Sequence, residues 1–284
     1  MQVGDTGQEV NSVLLTTDVT PAVVDEAVRL GCQLIISHHP LLFHGLKQVC
    51  GQSAQAQAVE ACIRHGIAVY SAHTSLDSVW GGINTRLADL LGITDYRILV
   101  PKPGAPRNAN EAMFRGESGG TSCFNDRAAV SPCNLVAERE GLGIIGSLPA
   151  PMDFHSFLVH VRDTLGATYV RYTLPTPLRE GSMVGFLPSL QGGGGGRLVT
   201  TVALCGGSGA EFIGEAIAQG ADVYITADCK YHEFQDAGGK IALVDIDHWV
   251  SERHCREIFR DLLTPHGIDC RISQADQTPI QVLQ

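Results

Sequence analysis

The chain has 284 residues, of which 44% are hydrophobic and 18% charged, and its formal net charge is −10. This composition supplies enough apolar material for a substantial core, which excludes a wholly disordered protein. No apolar run approaches the roughly 18 residues of a membrane helix, and an acidic chain without a basic cluster is poorly suited to binding nucleic acid through phosphates. We therefore expect a soluble protein with no membrane contact and no direct nucleic-acid contact.

The first hundred residues predict alternating strands and helices, the pattern of an α/β protein. Thr20 is suited to cap the first helix, with Pro21 at its first position and Gly31 after its end. The predicted strands are 13–17, 34–36 and 67–70, and the predicted helices are 21–30, 53–65 and 83–91.

The middle of the chain, residues 102–140, is rich in Gly, Pro, Ser and Asn and predicts a long irregular excursion. Order is expected to return at 141–146, followed by a helix that Asp153 caps and that ends at Gly166. An edge strand is predicted at 169–172, and the five glycines at 192–196 predict a flexible loop.

The last third predicts strands and helices in the same order as the first. A glycine turn at 206–209 is expected to lead into a helix, where it would either cradle an anion or serve only as a tight turn. The predicted strands are 198–204, 223–226 and 241–244, with helices up to residue 220, up to residue 238 and at 250–263.

The two outer thirds also resemble each other letter by letter. Residues 26–31 match 215–220, and 34–37 match 223–226 without a gap. Helix–glycine–strand units are generally alike, but the shared order and spacing favour a duplication. We predict a first α/β repeat at 1–100, an irregular connection at 101–140 and a second repeat at 141–284.

Three segments bring histidines and carboxylates to the ends of predicted strands, namely 37–40, 73–77 and 247–252. Ligands of open α/β sheets collect beyond the carboxyl ends of strands. His38 and His39 are adjacent, so on a strand their imidazoles diverge and would suit two neighbouring metal ions. His248 and Glu252 are four residues apart and share one helical face.

Together these segments offer three or four imidazoles and the carboxylates of Asp77 and Glu252. Such donors suit zinc, iron, manganese or nickel rather than calcium, and five ligands fit a pair of ions bridged by a carboxylate. Each segment also has a purely structural explanation: a His-Pro turn, Asp77 bonding the amides of residues 81–82, or a surface pair on a helix. Their joint occurrence favours the metal site.

Other polar residues carry less information. Asp228, Lys230 and His232 follow a predicted strand and are plausible pocket residues. The remaining histidines are predicted to be structural; these are His44, His65, His155, His160, His254 and His266. The nine cysteines form no C-x-x-C pair and indicate a reducing compartment, with Cys32 and Cys205 as small buried hydrophobes. The residues assign no catalytic group.

With these motifs in view, the chain resembles the NIF-three-like family, also called GTP cyclohydrolase 1 type 2 homologues. The resemblance rests on residues 35–40, on His73-Thr74-Ser75-Leu76-Asp77 with 81–84, and on the segments 141–146, 205–209, 221–226, 230–232 and 248–252. It spans nearly the whole chain outside 102–140.

The resemblance implies two intertwined, duplicated α/β repeats with mixed sheets and two divalent metal ions per chain. It places the ligands at His38, His39, Asp77, His248 and Glu252, with Glu252 as the bridge. It further implies a homohexamer built from dimers, and a metal-dependent hydrolase of a nucleotide-like or other small molecule. The alternative is a non-catalytic, metal-stabilised ring that binds a protein partner or regulates transcription.

The sequence departs from the family in three places. It begins at Met1 where the family has about thirty further residues, so the expected cytoplasmic location leaves a mitochondrial or nuclear one open. Asp247 stands in place of a glycine and is expected either to alter the charge at the metal or to hydrogen-bond His248. Ala227 replaces another glycine.

Overall fold

Two β-sheets form the framework of the protein. The computed structural model describes residues 1–102, 140–174 and 198–283, so most of the predicted 101–140 connection and all of the 192–196 loop lie outside the described residues. The strands are β1 (Ser12–Thr16), β2 (Leu34–Ser37), β3 (Ala68–Ser71), β4 (Thr94–Pro101), β5 (Gly141–Asp153), β6 (Val170–Tyr172), β7 (Leu198–Ser208), β8 (Val223–Ala227), β9 (Ala242–Ile246) and β10 (Asp269–Ile272).

One sheet has four parallel strands in the order β10-β1-β2-β3, and the other has six in the order β4-β5-β7-β8-β9-β6. In the larger sheet β7, β8 and β9 are parallel, and the flanking strands β4, β5 and β6 pair antiparallel. The predicted α/β class with mixed sheets is therefore confirmed.

Helices connect and cover these strands, and several begin where their caps predict. Thr20 Oγ1 accepts a hydrogen bond from Val23 N, and Gly31 ends the first helix in the left-handed conformation at φ 69°. The helices are α1 (Pro21–Leu30), α2 (Ala54–His65), α3 (Thr74–Asp77), α4 (Ile83–Leu90), α5 (Phe154–Leu165), α6 (Ile213–Ala218), α7 (Tyr231–Ala237), α8 (His248–Glu252) and α9 (Cys255–Leu263). Among the described residues, none of the helices has the length and apolar character to cross a bilayer.

The largest core cluster lies between the two sheets. Alternate residues of one strand face opposite ways, so Leu15 of β1 packs into this cluster while Leu14 packs into a second one against α1 and α2. A third cluster covers the outer face of the six-stranded sheet beneath α6 and α7. Cys32 and Cys205 are buried, as predicted.

Two predicted elements are wrong. The glycine turn at 206–209 does not exist as a turn, because β7 continues through Gly206 and Gly207 to Ser208 before a short 3₁₀ turn. The predicted helix 250–263 is instead two helices, α8 and α9, and the first begins at His248. Asp247 caps the first of these helices, and the turn at 253–254 separates it from α9.

The end of the chain returns to its beginning. Strand β10 pairs in parallel with β1, with Ser12 opposite Asp269. Residues from the predicted second repeat thus complete the sheet that the first repeat begins. The boundaries at 100 and 140 stay a prediction.

Candidate metal centre

The five predicted ligands come from both sheets. His38 and His39 directly follow β2 of the smaller sheet, and Asp77 is the last residue of α3. His248 and Glu252 are the first and last residues of α8, which follows β9 of the larger sheet. The structure therefore brings all five together near the carboxyl ends of parallel strands, as the topology of an α/β sheet favours.

Local hydrogen bonds fix the helix that carries two of these residues. Asp247 Oδ1 accepts from Val250 N at 3.1 Å and caps α8. Ser251 Oγ accepts from Gly207 N at 2.9 Å and donates to the His248 carbonyl at 2.7 Å. One turn of helix then places His248 and Glu252 on one face, as their spacing predicts.

The carboxylate of Glu252 lies at the centre of the cluster. Its Oε1 is 3.5 Å from His38 Nε2, which is also 3.5 Å from Asp77 Oδ1. Its Oε2 is 2.8 Å from His39 Nε2 and 2.9 Å from His248 Nε2. Each oxygen of one carboxylate thus faces a different group of donors.

Three acceptors orient the three imidazoles so that their Nε2 atoms face inward. His39 Nδ1 donates to Asp18 Oδ1 at 2.8 Å, and His248 Nδ1 donates to Asp228 Oδ2 at 2.7 Å. His38 Nδ1 faces the carbonyl of Ala72 at 3.2 Å. Such partners on the far ring nitrogen are typical of histidines that bind metals.

The mutual contacts shift the pKa values of the cluster in opposite directions. Burial would raise the pKa of Glu252, but its contacts with the imidazoles outweigh this and hold that pKa well below its ordinary value. Burial opposes protonation of His39 and His248, yet bonds to carboxylates raise their pKa values to about 10 and about 9. Burial raises the pKa of Asp77 to about 6.

The donor set fits a divalent metal ion. His38 Nε2 is buried and has no hydrogen-bond partner among the described residues, although it faces two carboxylates. A buried polar atom without a partner is costly unless something else satisfies it. Three overlapping groups of potential ligands lie within 4.8 Å: His38, His39 and His73; His39, His248 and Glu252; His38, Asp77 and Glu252.

Two members of this site lie outside the predicted ligand set. His73 belongs to the motif at 73–77, and its ring lies 5.2 Å from that of His38 and 5.6 Å from that of His39. Asp18 directly follows the predicted strand 13–17, and a carboxylate at the end of the strand that pairs with β2 is a signal that could have indicated it. Asp228, in contrast, was a predicted pocket residue.

The expected hydrogen bond between Asp247 and His248 is wrong. One oxygen of Asp247 accepts from Val250 N, and the other accepts from Thr278 Oγ1 at 3.0 Å. Gly82 N donates to the Val79 carbonyl rather than to Asp77. His232 is exposed on α7, and its Nδ1 faces Gln235 of the same helix at 3.4 Å.

Comparisons with known proteins identify the family and the fold. The model of a family described as Duf34/NIF3 (NGG1p interacting factor 3) matches residues 1–279. A Streptomyces coelicolor protein named "GTP cyclohydrolase 1 type 2 homolog" is 29% identical over 276 residues, covering 95% of this chain and 80% of its own length. A Bacillus subtilis protein of the same name is 25% identical, covering 100% and 92%.

Solved structures show the same fold. A Bacillus cereus protein related to NIF3 superposes with a TM-score of 0.75 at 24% identity, over 99% of this chain and 92% of that one. The protein ybgI, titled as of unknown function, superposes with a TM-score of 0.68 at 20% identity, over 98% and 88%.

Proposed function

We propose, starting from the fact that this chain belongs to the Duf34/NIF3 family, that it binds two divalent metal ions and hydrolyses a small molecule with them. The family match confirms the resemblance on which the sequence analysis drew. The groups of histidines and carboxylates are able to hold a metal ion. The number of ions, their ligands and the reaction belong to the proposal.

The position of Glu252 carries the proposal for two ions. One ion would take His38, Asp77 and Oε1 of Glu252, and the other would take His39, His248 and Oε2. A single carboxylate that presents one oxygen to each group would be able to bridge two ions. The adjacent histidines would then serve different ions.

The donors favour zinc, iron, manganese or nickel, because nitrogen and carboxylate ligands together suit these ions. Held by these residues, such ions would supply a nucleophilic water near neutral pH and polarise a substrate oxygen. Asp18 and Asp228 accept from Nδ1 of His39 and His248, so each ring would present its Nε2 lone pair to an ion once the Nε2 proton is released. Burial raises the pKa of Asp77 only to about 6, so its carboxylate would be available to an ion at neutral pH.

The substrate class comes from the relatives. Several curated relatives carry the name "GTP cyclohydrolase 1 type 2 homolog", which motivates a nucleotide-like substrate. The sequence motifs include no residue set that reads guanine, so we propose hydrolysis of a small molecule and leave GTP as the name that the relatives carry.

The proposed assembly is a homohexamer built from dimers, which the family resemblance implies. The proposed location is the cytoplasm, because the cysteine content indicates a reducing compartment. Light scattering after size-exclusion chromatography tests it: a mass six times that of the 30.3 kDa chain is expected, and a monomer would contradict it.

Elemental analysis of Glu252→Gln tests the metal site. We expect about two ions per chain in the wild type and a loss of both in the variant, because the amide has only one acceptor oxygen and no charge. Glu60→Gln is the matched control, since Glu60 pairs with Arg64 on an exposed helix face. Two ions retained by Glu252→Gln would contradict the bridge.

Turnover is then measured with metal-loaded protein on a panel of nucleotides, phosphate esters and amides. Metal-dependent hydrolysis that Glu252→Gln abolishes is the expected result. Fully loaded protein without turnover would contradict the enzymatic part and favour the non-catalytic ring instead.

A further inference from the structure

An exposed aromatic side chain lies beside the candidate metal centre. Phe43 is 68% exposed, although a phenyl ring is strongly apolar. It follows the His-His-Pro segment by three residues, so the same stretch of chain that supplies His38 and His39 also presents this ring. Single exposed apolar residues are common and need no explanation; the neighbours of Phe43 are what distinguish it.

A row of aromatic rings connects Phe43 with the proposed ligands. The Phe43 ring lies 6.3 Å from that of His73 at an interplanar angle of 84°. His73 lies in turn 5.2 Å from His38 and 5.6 Å from His39. These are spacings at which aromatic rings interact edge to face. The row therefore runs from the metal ligands to a ring that is open to solvent.

His73 is only partly buried, so its imidazole is accessible beside the phenyl ring. The two rings contact each other edge to face, nearly at a right angle. A planar ring that stacks on the exposed side of Phe43 would therefore lie close to the imidazole of His73. An aliphatic group would gain less from the same position.

We propose that Phe43 and His73 form a binding site for a planar aromatic ring of the substrate, whose oxyanion group the metal ions hold. This inference rests on the proposed metal site and adds the chemical class of the ligand. The ring would reach the site from the solvent side, while the oxyanion faces Glu252 and its neighbours. Phe43 is a specificity residue here and has no part in the chemistry.

Two phosphonates that differ only in the ring test the proposal. Methylphosphonate and phenylphosphonate present the same oxyanion, so calorimetric titration of metal-loaded protein with each isolates the contribution of the ring. We expect phenylphosphonate to bind about 3- to 10-fold more tightly, from the usual strength of an aromatic pair.

Variants assign that gain to one side chain. In Phe43→Ala the preference for phenylphosphonate should fall to near unity, while methylphosphonate affinity and metal content stay unchanged. Phe43→Trp should retain the preference, whereas Phe43→Leu should lose most of it. Tyr172→Ala is the control, because Tyr172 is half-exposed on the edge strand β6 and packs on Phe154.

The possible failures are distinguishable. If the wild-type protein holds no metal, both this inference and the proposed function are overturned. If metal-loaded wild-type protein binds neither phosphonate, only this inference is overturned. If methylphosphonate binds but the ring adds nothing, or the preference survives in Phe43→Ala, only the ring site is overturned. A change of oligomeric mass in Phe43→Ala would place Phe43 between copies of the chain and also overturn it.

Discussion

Replacing Asp276 with alanine should destabilise the protein strongly, because this carboxylate joins three separate elements. Its Oδ2 accepts from Thr17 N at 2.6 Å, and its Oδ1 accepts from Trp249 Nε1 at 3.0 Å. Arg256 Nη1 lies 3.3 Å away, and the Asp276 side chain is 1% exposed. Thr17 precedes Asp18 and Trp249 follows His248, so the same carboxylate braces both sides of the candidate metal centre.

The size of the effect follows from what the substitution leaves behind. Removing one partner of a buried ion pair costs about 3–5 kcal/mol, because the remaining charge stays desolvated. At about 2–4 °C per kcal/mol for a chain of this size class, we expect the melting temperature to fall by roughly 10 °C. Asp276→Asn should cost about 1–3 kcal/mol, since its single oxygen cannot serve both N–H donors equally well.

Urea unfolding of metal-free wild type, Asp276→Ala, Asp276→Asn and Asp163→Ala measures these differences. Asp163 pairs with Arg162 on an exposed surface, so its removal should change the free energy of unfolding by less than about 0.5 kcal/mol. If Asp276→Ala changes that free energy as little as the control does, the carboxylate does not brace these elements and the argument is wrong.

Three further outcomes are expected. Gly207→Ala should lower the metal content in elemental analysis, because a Cβ there would collide with Glu252 Oε1 and the residue has a φ of +66°. Gly214→Ala is the control: a Cβ at Gly214 meets open space, so the metal content should stay unchanged. Asp228→Asn should weaken metal affinity about 10- to 100-fold in competition with a chelating dye; unchanged affinity would show that His248 needs no such partner. The pKa values of His39 and His248 are raised to about 10 and 9 in the metal-free protein, so the stability that their protonation contributes is complete below pH about 6.5 and is lost as pH rises through 9–10. Metal binding must then release protons, and titrations in buffers of different ionisation enthalpy should detect them; a buffer-independent heat would contradict this.

Local signals in the sequence predicted much of the fold. Thr20, Pro21 and Gly31 define a helix through caps that act within a few residues, and the run 34–36 defines a buried strand through composition alone. The ligand residues could also be predicted from the sequence, because strand ends converge in any α/β sheet and His248 and Glu252 need only one helical turn to share a face.

The rest depended on contacts between distant segments. The glycines at 206 and 207 resemble a turn in sequence, but their amides bond Asn84 and Ser251, and this keeps β7 extended beside α8. Asp18 follows a strand as many aspartates do, and its contact with His39 depends on the pairing of two strands rather than on a local pattern. No local pattern indicates that Asp276 accepts from Thr17, 259 residues earlier.

The pairing of β10 with β1 has a consequence for how the chain reaches its native state. Ser12 and Asp269 are hydrogen-bonded partners separated by 257 positions, so the four-stranded sheet can be completed only after the chain has been synthesised beyond residue 272. Until then β1 presents an unpaired edge of apolar residues, a species prone to aggregation during translation. Closing such a long loop is also slow. Deleting the chain from Asp269 onward, which removes β10, should therefore lower the yield of soluble protein far more than the lost contacts alone would suggest.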